Sequence, residues 1–320
     1  MQAYLEGQSE DQLYLAQKLG KTLLIQNMAP EEIVDVHLRT LEALIPLPEP
    51  VAASFQLLTE VMIEYGNAFR EHRTLRSKQQ QWEAELAVAV TMQQAFLTHE
   101  IPEVPELEIG LVSVPAKQMS GDYYHFVQHE DSGFSVAIAD ITGKGIPAAL
   151  CMSMIKYAMD SVSEGEYAPS SLLHYLNGVV ERNIDPSMFI TMLFGRYEPA
   201  SHCFRYAAAG HEPGFWYRAA ENRFCELDGE GIALGIQRGA MYPEYAVQLA
   251  PDDLLILLTD GVSERKRGDQ YMSREELINV MRQEIGNPAQ TMADNIYRKL
   301  LELSNFHLPD DHTMIVIRRK

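Results

Sequence analysis

Four short aspartate signatures in the last two thirds of the chain constrain its fold and chemistry more than any other feature. They read Ser120-Gly121-Asp122, Asp140-Ile141-Thr142-Gly143-Lys144-Gly145, Thr259-Asp260-Gly261 and Asp310-Asp311-His312-Thr313. Three of them adjoin apolar runs typical of buried strands, at residues 134–139, 254–259 and 314–317. A carboxylate at the end of a buried strand costs free energy unless it is paired or binds a metal.

The pattern therefore predicts that a folded sheet gathers these acids into an all-oxygen cluster. Hard divalent cations such as Mg²⁺ and Mn²⁺ prefer such ligands. The alternative is that each Asp-Gly pair is an ordinary surface turn. That alternative accounts for any one signature, but poorly for all four.

Composition places the chain among acidic globular proteins. Its 320 residues are enough for two domains, and 46% hydrophobic residues are enough for a packed core. The net charge of −19 disfavours nucleic acid and anionic membranes as partners. We expect a cytoplasmic protein, because the sequence has neither a membrane-spanning run nor a signal peptide at its start. The three cysteines lack metal-ligand spacing and suit a reducing compartment.

The first hundred residues have helical periodicity. A first helical segment ends at Ala29-Pro30, and a second runs from Pro30 to the proline-rich stretch at 45–50. A third begins near Val51 and meets no proline until Pro102. Up to Arg76, its apolar face can complete a small helical bundle.

The rest of this third segment carries a heptad repeat with polar interruptions. Its seam residues are Leu75, Trp82, Ala89 and Phe96. Gln79 and Gln93 interrupt the seam, so we predict a marginally stable coiled-coil linker at 77–99 that pairs with a second copy. A plain spacer helix that packs on its own domain is the alternative.

Beyond Pro102 and Pro105 the pattern changes to strands separated by turns. Strands are predicted at Leu107–Val114, Phe134–Asp140, Phe189–Tyr197, Cys203–Ala209, Leu254–Thr259 and Thr313–Arg318. Helices are predicted at Pro147–Met159, Pro169–Arg182, Arg274–Ile285 and Pro288–Leu303. This order indicates an α+β sandwich with helices outside two sheets. We expect a helical domain at 1–76, the linker at 77–99 and the α+β domain at 100–320.

A cluster of this kind suits the hydrolysis of phosphate esters. Carboxylates from separate loops can flank two cations roughly 3.5–4 Å apart, which lower the pKa of coordinated water and offset the phosphate charge. Accelerations of phosphate-monoester hydrolysis by up to about 10²¹ require roughly 28 kcal/mol of transition-state stabilisation. A dinuclear site with an in-line water is an adequate source, whereas a single side chain is not.

Rival phosphatase chemistries lack their signatures in this sequence. A cysteine nucleophile needs an arginine six residues later, and those positions hold Tyr157, Ala209 and Gly231. An aspartyl-phosphate enzyme needs a second aspartate where Thr142 stands. Neither a P-loop nor the Gly-Asn-His segment of calcineurin-like metallophosphatases is present. A two-metal phosphodiesterase acting on nucleotides is disfavoured by the acidic charge and by the lack of histidine-rich ligand sets.

Five motifs occur in a fixed order between residues 107 and 320. They are Ser120-Gly121-Asp122-Tyr123-Tyr124, Asp140-Ile141-Thr142-Gly143-Lys144-Gly145, Ala209-Gly210-His211-Glu212-Pro213, Thr259-Asp260-Gly261-Val262 and Asp310-Asp311-His312-Thr313. The series resembles that of bacterial PP2C-type (PPM) serine phosphatases of the SpoIIE/RsbU branch. The helical region at 1–76, whose last residues are 71–76, resembles the RsbU type. Members of that type activate general stress sigma-factor pathways. The resemblance implies a PP2C-like β-sandwich flanked by helices, after an all-α bundle and a linker helix.

The resemblance also implies a role for each acid. Asp140 would bridge two Mn²⁺ or Mg²⁺ ions, with the backbone carbonyl of Ile141 as a further ligand. Asp122 would hold the second ion. The first ion would be held by Asp260 and by either Asp310 or Asp311. Of these two we favour Asp310, because the family pattern uses its first acid.

The substrate implied by the resemblance is a phosphoserine on a small anti-anti-sigma protein of the STAS type, similar to RsbV. Its dephosphorylation would let it sequester an anti-sigma kinase. An activating kinase-like protein similar to RsbT would bind the N-terminal domain, and the linker of a homodimer would transmit that binding. The alternative is a non-catalytic adaptor on a degenerate phosphatase fold, which the intact set of acids disfavours.

Three further residues have open roles. Lys117 precedes Asp122 and could contact phosphate, or it could be a solvated lysine at a strand end. His211 could orient a water molecule or act as a general acid, and a satisfied turn histidine is an equal alternative. We assign His312 to structure.

Overall fold

The computed structural model describes residues 1–97, 100–162, 167–185, 187–267 and 270–320. These residues divide into two units, Met1–Leu86 and Ala87–Lys320. The last two residues of the predicted linker, 98 and 99, lie outside the described residues.

The first unit is helical and leaves many of its apolar side chains exposed. Its helices are α1 (Gln2–Gly7), α2 (Glu10–Ile25), α3 (Pro30–Leu44) and α4 (Glu49–Gln94), the last of which runs past the end of the unit. Proline at the first position of α3 suits a helix start, because its missing N–H would have no helical partner there. None of the hydrophobic side chains in residues 1–86, all of them described, is buried; Ile25 is 80% exposed and Leu57 70%.

The second unit contains the strands. They are β1 (Leu107–Val114), β2 (Asp122–Gln128), β3 (Phe134–Ile141), β4 (Ile190–Glu198), β5 (Cys203–Ala209), β6 (Gly214–Arg218), β7 (Arg223–Leu227), β8 (Tyr245–Gln248), β9 (Leu254–Leu258), β10 (Lys266–Arg267), β11 (Gln270–Tyr271) and β12 (His312–Arg319). Within the described ranges they form two five-stranded sheets, ordered β1-β12-β9-β6-β7 and β2-β3-β4-β5-β8, and a small β10-β11 ribbon. The named strand pairs are all antiparallel.

Helices cover the outer faces of both sheets. They are α5 (Ile146–Asp160), α6 (Pro169–Asn183), α7 (Asp260–Ser263), α8 (Arg274–Arg282) and α9 (Ala289–Leu303). Successive side chains of a strand point to opposite faces of the sheet, so each strand contributes to two separate parts of the core. In β3, Val136 and Ile138 pack between the sheets, whereas Ala137 and Ala139 lie in the cluster formed with α5 and α6. Small residues on the helix side let these helices approach the sheet.

The structure confirms the predicted fold class of a helix-flanked β-sandwich after a helical region. All predicted strands and helices are present, with shifts at their ends; α8, for example, ends at Arg282 rather than Ile285. The sequence pattern did not predict β2, β6, β7, β8 or the two-residue strands β10 and β11. These strands are short or contain polar residues such as His125, so their periodicity is weak, and pairing within a sheet decides their conformation.

Close packing of α9 on β1 makes Gly110 sensitive to substitution. A Cβ at Gly110 would overlap the backbone of Ala289 at the start of α9. We expect Gly110→Ala to lower the free energy of unfolding by about 1–3 kcal/mol, because overpacking displaces the helix. The midpoint of urea unfolding measures this effect.

The matched control is Gly178→Ala in α6. A Cβ there would meet only the Arg182 side chain, at 3.7 Å. This variant should be neutral or more stable by about 0.5–1 kcal/mol, because alanine favours a helix over glycine. Equal effects of the two substitutions would contradict the packing described for α9.

Candidate active site

Pairing of β2 with β3 places two of the predicted aspartates opposite each other. Asp122 is the first residue of β2, and its partner across the antiparallel ladder is Asp140, near the end of β3. Directly opposite residues have Cβ atoms about 4.5–5.5 Å apart. The two carboxylates are therefore neighbours at one end of the sheet, facing the other sheet.

Gly121 leaves space beside these carboxylates. The point that a Cβ of Gly121 would occupy lies 3.0 Å from the Ile141 carbonyl oxygen, 3.2 Å from Asp140 Oδ1 and 3.3 Å from the Gly143 carbonyl oxygen. The Ile141 amide donates to the Gly121 carbonyl at 3.1 Å, which fixes this spacing. Three oxygens thus surround one point, and two of them belong to the predicted ligands Asp140 and Ile141.

The other two acidic loops are fastened to the same end of the sandwich. The amide of Thr259 donates to the Thr313 carbonyl, and the amide of Thr313 donates to the Thr259 hydroxyl, both at 3.1 Å. That hydroxyl donates in turn to Asp122 at 2.8 Å. A Cβ at Gly261 would overlap the Asp311 carbonyl oxygen, so the loops that carry Asp260 and Asp311 are in direct contact.

Asp310 and Asp311 have different surroundings. Asp311 is buried, and its two carboxylate oxygens accept from the amides of Ala116 at 2.7 Å and Gly121 at 2.6 Å. The side chain of Asp310 is 48% exposed, at the rim of the cluster. Asp311 therefore fastens the segment before β2, which leaves Asp310 the better candidate for a ligand.

Lys144 brings a positive charge to the cluster. Its ammonium lies 2.6 Å from Asp310 Oδ1, and Gly143 and Gly145 on either side of it have φ values of 98° and 81°. These left-handed conformations suit glycine and turn the loop sharply. Lys117, the predicted phosphate contact, is exposed, and no hydrogen bond or ion pair joins it to a described residue. Its role stays a prediction.

The acids raise one another's pKa. Burial, followed by the charges of Asp260, Asp310 and Asp311, raises the pKa of Asp140 to about 7. Burial also raises the pKa of Asp122 well above its usual range, although hydrogen bonds from threonines oppose this. The pKa of Asp260 is raised by burial and then by Asp310. Bound cations would reverse this repulsion.

The two histidines of the motifs are buried and neutral. Burial lowers the pKa of His211 to about 4, and its Nδ1 lies 3.0 Å from the hydroxyl of Thr191, the strand partner of Asp140. This environment favours a structural role behind Asp140 over general acid catalysis. Burial and the neighbouring Arg265 lower the pKa of His312 to about 3, which fits the structural role predicted for it.

Gln93 is a site residue that the sequence analysis missed. The heptad pattern predicted Gln93 as a polar interruption of the coiled-coil seam, but the residue is only 4% exposed. Its side-chain amide donates to the Ser120 carbonyl at 2.7 Å and accepts from the Ser120 amide at 3.1 Å. A glutamine in a helical seam is usually solvated, so no local signal could have identified this partner.

The donor set fits a hard divalent cation. The available ligand atoms are carboxylate oxygens and a backbone carbonyl oxygen, which such cations prefer. They lie beside Gly121, where three oxygens surround the point that a Cβ would occupy. In the described part of the chain, however, no three acidic, histidine or cysteine side chains stand in an arrangement that could hold one ion. Asp122, Asp310 and Asp311 are instead engaged by Thr259, Lys144 and backbone amides.

Comparison with known proteins identifies the family. Residues 130–320 match the family described as Stage II sporulation protein E (SpoIIE), and residues 1–68 match that of the phosphoserine phosphatase RsbU N-terminal domain. The chain is 47% identical to phosphoserine phosphatase RsbU of Bacillus subtilis (strain 168), over 99% of this chain and 95% of that protein. The chain belongs to the RsbU family of serine phosphatases. This confirms the predicted resemblance and the predicted enzyme class.

Solved structures support the PP2C fold of this RsbU-family enzyme. The SiaA-PP2C domain of Pseudomonas aeruginosa matches with a TM-score of 0.66 and 20% identity, over 76% of this chain and 99% of that one. The phosphatase domain and regulatory fragment of SpoIIE from Bacillus subtilis match with a TM-score of 0.59 and 19% identity. This match covers 68% of this chain and 64% of that one. RsbX, whose structure matches with a TM-score of 0.51 and 14% identity, was solved in complex with magnesium. None of the helices in the described ranges is long and apolar enough to cross a membrane.

Removal of one repelling carboxylate should stabilise the metal-free enzyme. The pKa of Asp140 is about 7 in the folded chain and near its usual 3.8 in the unfolded chain, so wild-type stability falls as the pH rises from about 4 through 7. We expect the free energy of unfolding of chelator-treated Asp140→Asn to exceed that of the wild type by about 2 kcal/mol at pH 8. Below pH 4 the two values should approach each other. Urea unfolding at both pH values measures the difference.

Asp294→Asn, at an exposed position on α9, is the control and should leave stability unchanged at both pH values. If Asp140→Asn were less stable than the wild type at pH 8, the repulsion described for the cluster would be refuted.

Proposed function

We propose that the chain is a metal-dependent phosphatase that removes phosphate from a phosphoserine of an anti-anti-sigma protein of the STAS type, and so switches on a stress sigma factor. The observation that carries the proposal is the meeting of the four aspartate signatures at one end of the sandwich, where Asp122 pairs with Asp140 and three other acids raise the pKa of Asp140. The 47% identity to a phosphoserine phosphatase supports the reaction type.

Each acid has a proposed place around two ions. Asp122, Asp140, Asp260 and Asp310 would hold these ions, with the backbone carbonyl of Ile141 as a further ligand. When bound, Mn²⁺ or Mg²⁺ lowers the pKa of water and offsets the phosphate charge. Asp311 keeps the Gly121 backbone beside Asp140, and the neutral His211 supports the strand that pairs with β3.

We further propose that the N-terminal unit binds an activating kinase-like protein and a second copy of the chain. Its exposed apolar side chains support this, because helices that leave such surface uncovered gain free energy by association. The contact of Gln93 with Ser120, two residues before Asp122, supports transmission of binding along α4 to the acid cluster.

Loss of a ligand should abolish the reaction. Asp140→Asn and Asp260→Asn should each lower kcat/KM by at least about 100-fold, because metal ligation contributes several kcal/mol of transition-state stabilisation. The measurement is Mn²⁺-dependent phosphate release from a phosphoserine anti-anti-sigma protein. Asp294→Asn should match the wild type, as a surface substitution.

Undiminished activity in both ligand variants would remove the proposed mechanism. Absence of turnover in the wild type, with the candidate activator present, would favour the alternative of a non-catalytic adaptor. Stimulation by the activator that persists after deletion of residues 1–76 would refute the regulatory role of the N-terminal unit.

A further inference from the structure

Arg265 is one of the largest side chains that the second unit buries fully. It is 2% exposed, and the described residues include no carboxylate in an ion pair with it. Its guanidinium donates instead to neutral acceptors: Nδ1 of His312 at 2.9 Å and, at 3.4 Å, the His307 carbonyl and the Ser304 hydroxyl. A buried charge without an opposite charge costs free energy, so its hydrogen bonds must offset a considerable penalty.

The position of Arg265 explains what these bonds connect. Arg265 follows α7, whose first residue is Asp260. Its acceptors at His307 and His312 lie on both sides of Asp310 and Asp311 in the chain. One guanidinium therefore joins the loop that carries Asp260 to both ends of the segment that carries Asp310.

The two acidic loops need a connection beyond the strand pairing. Strand pairing between β9 and β12 holds the loops at Thr259 and Thr313 but does not extend to Asp310. Arg265 supplies hydrogen bonds on the far side of that acid.

An arginine suits this task better than a lysine. Its planar fork has five N–H donors in fixed directions, which can reach acceptors on several segments at once. Because arginine can only donate, Nδ1 of His312 must accept, which places the imidazole proton on Nε2. The Tyr297 ring packs edge-on against this imidazole, with centroids 4.9 Å apart, and fixes its plane.

We propose that Arg265 is a positioning residue of the phosphatase. It holds the segment 307–312 against the loop after β9, so that Asp260 and Asp310 are preorganised to bind one divalent ion. The proposal rests on the proposed function, which assigns both acids to metal binding. Arg265 itself touches neither the substrate nor the metal.

The first test needs no metal. Amide hydrogen exchange by mass spectrometry is measured on the chelator-treated full chain, for the wild type and Arg265→Met. Peptides that cover 304–312 should exchange about tenfold faster or more in the variant, because charged hydrogen bonds to this segment are lost.

The second test is Mn²⁺ binding by calorimetry at a temperature where all variants are folded. Arg265→Met should weaken the Kd about 10- to 100-fold, as loss of a partner that orients a ligand does. The kcat of the variant should return towards the wild-type value at saturating Mn²⁺. Arg265→Lys keeps the charge without the fork and should resemble Arg265→Met.

The matched control is Arg318→Met. Arg318 is a largely buried arginine at the opposite end of β12, where it donates to the Asn287 carbonyl at 2.9 Å. This variant should change neither the exchange of 304–312 nor the Kd for Mn²⁺. If it weakened both as much as Arg265→Met, general destabilisation would explain the effect and the proposal would be wrong.

Two other results would also overturn the positioning role: unchanged exchange and affinity in Arg265→Met, or full recovery of both in Arg265→Lys, which would assign the effect to charge alone. If the wild type bound no Mn²⁺, the metal assignment of the proposed function and this role towards it would both fail. Wild-type binding with an unaffected Arg265→Met would refute only the role of Arg265.

Discussion

Repulsion among carboxylates is the constraint around which this end of the fold is built. Five aspartates from distant parts of the chain meet at one end of the sandwich, and burial with mutual charge raises the pKa of Asp140 to about 7. The free energy that opposes this meeting is offset by rigid packing: a buried sandwich core, a strand register and hydrogen bonds to neutral groups. A divalent cation bound here would offset this repulsion.

The fold separates the residues that build this cluster from those proposed to bind metal. Asp311 accepts a hydrogen bond from the Gly121 amide, and the Thr259 hydroxyl donates one to Asp122. Gly261 has no side chain, which lets the two acidic loops make contact. Lys144 meets Asp310 at the rim. Neutral imidazoles at His211 and His312 fill the layers behind, where burial disfavours a charged ring and, at His312, the charge of Arg265 does so as well.

Much of this architecture could be predicted from local sequence pattern. The apolar runs at 134–139, 254–258 and 314–317 are strands, and the helices between them lie where their periodicity predicted. Short strands such as β6 and β8 escaped prediction, because a strand of four or five residues has too little periodicity and takes its conformation from its neighbours. Asp122 was predicted in a loop signature, yet it is the first residue of a strand whose pairing puts it opposite Asp140.

The sequence by itself determined the enzyme class, because acids beside buried apolar runs, in a fixed order of motifs, are typical of metal-dependent serine phosphatases. Tertiary structure alone decided which hydrogen bonds support those acids. Asp311 accepts from two backbone amides, Gln93 bonds to Ser120, and Arg265 donates to both ends of the segment 307–312. The physical reason is the range of the interactions. Strand polarity and turn preference are local properties that a short window of sequence reveals, whereas a buried hydrogen bond between residues far apart in the chain exists only after the sheets have packed.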